Sequence, residues 1–393
     1  MTVPFVFEKP LGMRDTLPVL YDLKTNIRQK IQGVTETWGY RFMNTPTLEY
    51  YETVGDASAI LDQQLFKLLD QRGKTLVLRP DMTAPIARVA ASSLKHEPFP
   101  LRLAYDSNVF RAQEDEGGKP AEFEQIGVEL IGDGTASADA EVIALMAEVL
   151  NKAGLEEYQI AIGHVGYIQE LFLSIVGNEE RAATLRRFLY EKNYVGYRQH
   201  VREMALSSID QKRLMDLLTL RGDGSKLGDA FELLPTEKGE NVLRDLRTLL
   251  DTLEAYGVAH RVKFDFTLVS HMSYYTGVVF EGYANNLGVP LSNGGRYDEL
   301  LSRFNRPAQA TGFGIRLDHL AEALNPNREE TLPSAIIFSP ERKQEAIEQV
   351  TDRRAIGERV VMQELSGVAD LDAFSERFDD VVYLIGKNGK GTM

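Results

Sequence analysis

Two strand-like segments on either side of a polar, glycine-containing loop constrain the fold of this chain most. The first runs from Leu101 to Phe110, and the second, E-F-E-Q-I-G-V-E-L-I-G, runs from Glu122 to Gly132. The loop R-A-Q-E-D-E-G-G-K-P lies between them. Two such runs joined by a polar loop predict a hairpin of neighbouring strands. The sequence is therefore predicted to contain a strand-rich unit built around this hairpin.

Alternation along the second strand places four residues with unusual properties on one face. Phe123, Gln125, Gly127 and Glu129 share that face, because side chains on a strand alternate with a period of two. An amide and a carboxylate separated by a glycine could hold a small cationic or hydrogen-bond-rich ligand. A solvated sheet face explains the same pattern, and strand geometry alone favours that explanation.

Apolar spacing elsewhere predicts helices and further strands. A stripe of residues three and four apart predicts a helix from Leu20 to Trp38, ended by Gly39. A second helix is expected over about residues 84–93, with Asp81 or Thr83 as its N-cap. Helical spacing over about residues 178–257 predicts a helical insertion. The run V-K-F-D-F-T-L, which begins at Val262, alternates as a strand does, and S-N-G-G-R-Y-D is typical of a turn.

The C-terminal part has a different pattern. Residues 326–333 are polar and contain prolines, which indicates a linker between domains. Residues 334–393 alternate between strand and helix patterns, which predicts a small α/β domain. The core domain would then span residues 1–325.

Composition excludes several classes of site. The chain has no cysteine, so disulfides and thiolate chemistry are excluded, and its six histidines form no H-E-x-x-H pair. The net charge of −14 (44 basic and 58 acidic residues) disfavours binding to nucleic acid. No signal peptide and no apolar run of the ~18 residues needed to span a membrane is present, so a cytoplasmic protein without metal or cofactor is expected.

Other polar residues have ordinary structural explanations when each is considered alone. Asp81 and Thr83 fit helix caps, and Arg111 fits a surface arginine. Tyr274 and Tyr275 fit two packed aromatic side chains on opposite faces of a strand. None of these residues would indicate a ligand site by itself.

Their order along the chain changes this interpretation, because it resembles the histidyl-tRNA synthetase family. The resemblance covers nearly all of residues 1–325 and rests on these blocks: G-M-R-D-T-L-P, R-P-D-M-T, F-R followed by E-F-E-Q-I-G-V-E-L-I-G, Y-Y-T-G-V-V-F-E, G-G-R-Y-D and G-F-G-I-R-L-D-H-L. It implies an α+β fold, the class II synthetase antiparallel sheet flanked by helices. It also implies a dimer interface made by the first long helix and the segment up to Pro46.

The resemblance further implies a histidine-binding pocket. In it, Asp81, Thr83 and Gln125 would meet the α-amino group. Glu129 and a tyrosine hydroxyl would hold the two imidazole nitrogens, one as acceptor and one as donor. The full set of implied histidine-binding residues is Asp81, Thr83, Arg111, Gln125, Glu129, Tyr274 and Tyr275.

Departures from the family pattern fall where adenylation needs positive charge. Ser270 stands where the family has an arginine that stabilises the carboxylate and α-phosphate. His319 replaces an ATP-binding arginine, and Arg316 replaces a glycine near the nucleotide. Loss of one such cationic group typically slows a reaction on the order of 10²- to 10³-fold, so adenylation is not expected. The loop residues Gln113, Asp115 and Glu116 also depart from a cationic pattern.

A short, acidic C-terminal region is also unsuited to gripping RNA. Together these features resemble the regulatory subunits of ATP phosphoribosyltransferase. That resemblance implies a non-catalytic protein that joins the short-form catalytic subunit in a hetero-oligomer, forms a homodimer within it, and confers feedback inhibition by histidine. Two alternatives remain: a divergent histidyl-tRNA synthetase, and a ligase that adenylates another small acid.

Overall fold

The computed structural model describes residues 7–112, 120–269, 274–324 and 332–386. The chain divides into two compact units, Met1–Pro326 and Asn327–Met393. Residues 326–331 of the predicted linker lie outside the described residues. In the described ranges, no helix combines the length and the apolar character that crossing a membrane requires.

The first unit contains twelve described strands and ten described α-helices, besides a few short helical turns. The strands are β1 (Arg41–Phe42), β2 (Leu48–Tyr50), β3 (Lys67–Leu69), β4 (Thr75–Leu78), β5 (Leu101–Phe110), β6 (Glu122–Ile131), β7 (Tyr158–His164), β8 (Arg221–Gly222), β9 (Val262–Asp265), β10 (Val278–Ala284), β11 (Ser292–Arg296) and β12 (Ala310–Arg316). The helices are α1 (Pro18–Thr37), α2 (Thr83–Ala91), α3 (Ala136–Ala153), α4 (Val165–Val176), α5 (Glu179–Tyr190), α6 (Tyr194–Glu203), α7 (Ser208–Leu217), α8 (Lys226–Leu233), α9 (Glu237–Ala255) and α10 (Leu317–Ala323).

Nine of these strands form one sheet in the order β1-β5-β6-β12-β11-β10-β7-β9-β8. The six central strands are β5, β6, β12, β11, β10 and β7. Each pairs antiparallel with its neighbours in this series, as predicted. The pairs β1–β5 and β7–β9 are parallel. Parallel neighbours need a long crossover, and the chain between β7 and β9, which includes α4 to α9, provides one. The sheet is therefore mixed at its two ends.

The two faces of β6 face different parts of the core. Ile126, Val128 and Leu130 belong to the main apolar core, which α1 and α3 also contribute to. Phe123 and Ile131 on the opposite face belong to a second cluster. The face with Gln125, Gly127 and Glu129 is thus not the face that the main core covers.

Two predicted local structures are wrong. The strand that begins at Val262 ends at Asp265, because the Asp265 carboxylate accepts hydrogen bonds from the backbone N–H (2.8 Å) and hydroxyl (2.6 Å) of Thr267 and so turns the chain. Gly294 and Gly295 do not form a turn but lie within β11. A Cβ on Gly294 would lie 2.4 Å from the Gly312 carbonyl oxygen, so this position needs glycine for close packing.

The predicted helical insertion contains α5 to α9 and also a strand. Arg221 and Gly222 form β8, which pairs antiparallel with β9 at the end of the sheet. The insertion is therefore joined to the sheet by backbone hydrogen bonds as well as by side-chain packing.

The second unit is a small parallel sheet with helices, as its alternating pattern predicts. It contains β13 (Ser334–Phe338), α11 (Lys343–Ala355), β14 (Val360–Glu364), α12 (Leu371–Ser375) and β15 (Val381–Leu384). The strand order is β14-β13-β15 and both pairs are parallel. Its apolar core is formed mainly by residues of β13 and α11.

Candidate functional site

A pocket lies on the sheet face that carries Glu129. All seven residues of the implied histidine site line it. The cavity that they enclose is small, about 30 Å³. The lining residues are Asp81, Met82, Thr83, Tyr105, Arg111, Gln125, Glu129, Tyr274, Tyr275, Asn293, Tyr297, Gly312, Phe313 and Gly314.

Glu129 is a buried carboxyl group in the pocket wall. Its side chain accepts a hydrogen bond from the Thr83 hydroxyl (2.8 Å) and another from the Tyr297 hydroxyl. Gly312 lies opposite on β12, and a Cβ there would be 2.0 Å from a Glu129 oxygen, so only glycine leaves room for this carboxyl group. Burial raises the pKa of Glu129 to about 8, although the two hydroxyl donors favour the ionised form.

Asp81 and Thr83 connect the start of α2 to the pocket. The N-cap of α2 is Met82, and not Asp81 or Thr83 as predicted, although Asp81 Oδ1 accepts a hydrogen bond from the backbone N–H of Ala84 in the first turn (3.0 Å). Its other oxygen, Oδ2, is buried without a hydrogen-bond partner in the described part of the chain. Burial raises the pKa of Asp81, while the charge of Arg111 opposes that shift. The Asp81 side chain therefore both binds the first turn of α2 and lines the pocket.

Gln125 lies four residues before Glu129 on the same face of β6. Its Oε1 atom is buried and, among the described residues, has no hydrogen-bond partner. Two glycines provide the space around it. A Cβ on Gly314 would lie 1.9 Å from the Gln125 amide nitrogen, and a Cβ on Gly127 would lie 2.5 Å from the Tyr105 hydroxyl. The glycine gap in the β6 pattern is therefore filled by Tyr105 from β5.

The adjacent tyrosines both line the pocket. Tyr274 and Tyr275 precede β10, which begins at Val278, so the prediction that they occupy opposite faces of a strand is wrong. Their ring centroids are 5.0 Å apart in an edge-to-face arrangement. Tyr274 makes a similar contact with Tyr297, at 5.7 Å. Burial raises the pKa of both hydroxyls, so they stay protonated and can act as donors.

Arg111 is not an ordinary surface arginine. Its Nε donates to the Pro80 carbonyl oxygen at 2.9 Å, and its guanidinium carbon lies 5.3 Å from the centre of the Phe123 ring. Burial lowers the pKa of Arg111, while the negative charge of Asp81 raises it. The guanidinium therefore balances a buried carboxylate in the pocket wall.

The described residues that depart from the synthetase pattern have structural contacts of their own. The His319 ring Nδ1 donates to the Pro290 carbonyl oxygen at 2.8 Å, and His319 does not line the pocket. The Arg316 guanidinium lies 4.0 Å from the centre of the Phe123 ring, and burial together with Arg111 lowers the pKa of Arg316 to about 10. The other departures, Ser270, Gln113, Asp115 and Glu116, lie outside the described residues.

Seven pocket residues were missed from the sequence, and three of them, Tyr105, Asn293 and Tyr297, have a polar group on the side chain. Tyr297 could have been found, because it belongs to the block G-G-R-Y-D and its hydroxyl would have been a plausible partner for a buried carboxyl group. Tyr105 is opposite Gly127 in the β5–β6 register, and an aromatic residue opposite a glycine is a recognisable pair. Asn293 gave no signal, because its segment was interpreted as a turn. Across the described ranges, no group of three or more acidic or histidine side chains could hold a metal ion.

Comparison with known protein families gives two matches that together span most of the chain. The family described as "Histidyl-tRNA synthetase" matches residues 12–320. The family described as "Histidyl-tRNA synthetase HisZ, C-terminal domain" matches residues 335–386. The second match falls on the small C-terminal unit.

Individual proteins and structures resemble the chain over its whole length. The ATP phosphoribosyltransferase regulatory subunit of Halalkalibacterium halodurans is 63% identical, over 100% of this chain and 99% of that protein. A crystal structure of an ATP phosphoribosyltransferase regulatory subunit/histidyl-tRNA synthetase from Bacillus halodurans, also 63% identical, has a TM-score of 0.92 and covers 98% of this chain and 100% of that one. Histidyl-tRNA synthetase from Nostoc has the same fold, with a TM-score of 0.79 at 20% identity over 95% of this chain and 89% of that one.

Proposed function

The chain belongs to the histidyl-tRNA synthetase-like family of ATP phosphoribosyltransferase regulatory subunits, and on this premise we propose that its pocket senses free histidine for the catalytic subunit. As a regulatory subunit, it does not itself carry out the phosphoribosyl transfer. The catalytic partner is the short-form ATP phosphoribosyltransferase, and bound histidine inhibits the assembly by feedback.

The observation that carries the histidine proposal is a pair of buried acceptors without partners. Asp81 Oδ2 and Gln125 Oε1 both belong to residues that line the pocket, and neither accepts a hydrogen bond from any described residue. A buried acceptor left unsatisfied is unfavourable by roughly 1–3 kcal/mol. A ligand ammonium group has three N–H donors and would satisfy both acceptors.

The other end of the pocket suits an imidazole ring. A neutral imidazole has one N–H donor and one acceptor nitrogen. Each Glu129 oxygen already accepts one hydrogen bond, and a carboxylate oxygen can accept a second. A hydroxyl of Tyr274 or Tyr275 can donate to the remaining nitrogen. A ligand without the imidazole would make neither of these additional hydrogen bonds, which is the basis of the expected selectivity.

Feedback requires that histidine bind with different affinity to the active and inhibited assemblies. Isothermal titration calorimetry with histidine, with and without the catalytic subunit, tests both the site and this coupling. Glu129→Ala is expected to abolish the heat of binding and the histidine inhibition together. If Glu129→Ala retains both, the assignment of the imidazole site is wrong.

Glu141→Gln is the matched control for that experiment. Glu141 on α3 also accepts a tyrosine hydroxyl, that of Tyr40 at 3.0 Å, but it does not line the pocket. Histidine binding should therefore persist in this variant. The two alternatives, a synthetase and a ligase for another acid, are tested by ATP–pyrophosphate exchange with histidine and with a panel of small acids. Exchange by the purified chain would contradict the regulatory role.

A further inference from the structure

Arg316 is a charged side chain whose hydrogen-bonding capacity is not used. Its Nε and Nη2 atoms are buried, and neither finds an acceptor among the described residues. The guanidinium carbon lies 4.0 Å from the centre of the Phe123 ring, so the guanidinium packs against this ring. Its Nε and Nη2 donors still have no hydrogen-bond acceptor among the described residues. Buried guanidinium donors without an acceptor are unfavourable, which indicates that an anionic group completes this position.

The strand register places Arg316 beside the pocket. Arg316 is the partner of Gln125 in the antiparallel β12–β6 pair, so the two side chains stand on the same face of the sheet. Gly312, the partner of Glu129, is four residues away on the same strand. That spacing corresponds to about 13 Å along the sheet. The side chains of Glu129 and Arg316 can therefore approach opposite ends of a molecule of amino-acid size.

A second cation adjoins the same position. Arg111 and Arg316 both lie over the Phe123 ring, at 5.3 Å and 4.0 Å from its centre. Two neighbouring guanidinium groups repel each other unless an anion lies between them. The Arg111 Nε is already used by the Pro80 carbonyl oxygen, whereas Arg316 keeps two donors for a ligand.

We propose that Arg316 binds the α-carboxylate of the amino acid in the pocket. The proposal rests on histidine being the ligand. It gives the amino acid a partner for each of its polar groups: Glu129 for the imidazole, Asp81 and Gln125 for the ammonium, and Arg316 for the carboxylate. Arginine binds carboxylates through two parallel N–H donors, which fixes both position and orientation.

The test compares two ligands, L-histidine and L-histidinamide, which lacks the carboxylate charge. Calorimetry on the wild-type chain is expected to show tighter binding of histidine. Arg316→Gln should weaken histidine binding on the order of 10- to 100-fold, as loss of a charged hydrogen bond does, and leave histidinamide binding nearly unchanged. Arg261→Gln is the control, because Arg261 also stacks on an aromatic ring, that of Tyr158 at 4.7 Å, but does not belong to a strand that lines the pocket.

The outcomes separate this inference from the proposed function. If the wild-type chain binds neither ligand, histidine sensing itself is wrong. If it binds histidine and Arg316→Gln retains the preference for histidine over histidinamide, only the role of Arg316 is overturned. Should Arg316→Gln not fold, Arg316→Lys replaces it, since a lysine keeps the charge but loses the two-donor geometry. A smaller loss confined to histidine supports the proposal, and an unchanged preference overturns it.

Discussion

Glu129 shows how a single buried residue links ligand binding to stability. The side chain is only 2% exposed, and its ionised form is disfavoured by burial and by the charge of Asp81, while two hydroxyl donors stabilise it. In the folded chain without ligand, its pKa is about 8 instead of the ordinary 4.5. A carboxyl group whose pKa is raised by burial in this way is typical of binding sites.

The first residue-scale prediction concerns the pH dependence of unfolding. Because the folded pKa of Glu129 is raised, its contribution is most favourable below pH 4.5 and is lost progressively as the pH rises to about 8. Glu129→Gln keeps the shape but does not ionise. The free energy of unfolding of this variant, relative to wild type and without ligand, should therefore increase by a few kcal/mol between about pH 5 and about pH 9.

Chemical denaturation at the two pH values measures this difference. Groups other than Glu129 titrate in both the variant and the wild type. The quantity to interpret is therefore how the difference between their free energies of unfolding changes with pH. A difference that does not vary with pH would contradict the raised pKa.

The seven expected site residues were taken from a resemblance spanning many blocks, and their contact with histidine stays a prediction. All seven expected residues line one pocket. The pattern of a single strand could not separate a ligand site from a solvated face, because that distinction depends on what covers the face. Asn293 reaches the pocket through strand pairing, which no local pattern reveals.

At the scale of elements, the register between β6 and β12 shapes the pocket. Glycines at positions 312 and 314 face Glu129 and Gly127 and leave the space that the Glu129 and Gln125 side chains occupy. The pocket therefore depends on two glycines, Gly312 and Gly314, that lie two residues apart on the same face of β12.

The element-scale prediction is that Gly314→Ala displaces Gln125 without unfolding the chain. The nearest atoms to the new Cβ are the Gln125 amide nitrogen at 1.9 Å and the Tyr105 hydroxyl at 2.8 Å, both at ends of side chains. Gln125 would have to turn away from its present place, and histidine affinity should fall at least tenfold as its hydrogen bond is lost. Calorimetry with histidine measures this, with circular dichroism to establish that the fold is kept.

Gly288→Ala is the control for this substitution. A Cβ on Gly288 would have no atom within 4 Å, so it should change neither folding nor binding. Unchanged histidine affinity in Gly314→Ala would show that the Gln125 amide is not a ligand contact.

The bounds of elements with strong local sequence patterns were predicted closely. The bounds of elements that depend on tertiary contacts were not. The predicted first strand of the hairpin, Leu101 to Phe110, is β5 without any change of bounds. In contrast, β9 is shorter than its alternation indicates, because Asp265 forms a side-chain turn that ends the strand. Gly294 and Gly295 of β11 are residues typical of a turn. They lie in a strand because β11 pairs with β10 and β12 across the sheet.

At the scale of the whole molecule, α1 presents two different surfaces. Ile27, Ile31 and Val34 on its C-terminal half are buried in the main core. Near its start, Val19, Leu20 and Tyr21 are 52%, 40% and 58% exposed. An exposed apolar cluster of this kind is typical of a protein interface. It supports the expectation that the chain forms a homodimer through this helix.

The whole-molecule prediction follows from that surface. Replacing Leu20 and Tyr21 together by Asp should shift the chain from dimer to monomer, because charged groups would have to be buried at the interface. Sedimentation velocity measures the change in mass. Val195→Asp is the control, since Val195 is 74% exposed on α6, within the insertion. A double variant that remains dimeric would place the interface elsewhere.

The strands at the two edges of the nine-stranded sheet are both short. β1 and β8 contain two residues each, and each begins with an arginine, Arg41 and Arg221. An edge strand this short offers few unpaired backbone groups to a strand of another molecule. A charged side chain on the edge strand further disfavours edge-to-edge aggregation. Assembly with other subunits is therefore expected to use side-chain surfaces. The short edge strands β1 and β8 disfavour pairing of this sheet with a strand of another molecule.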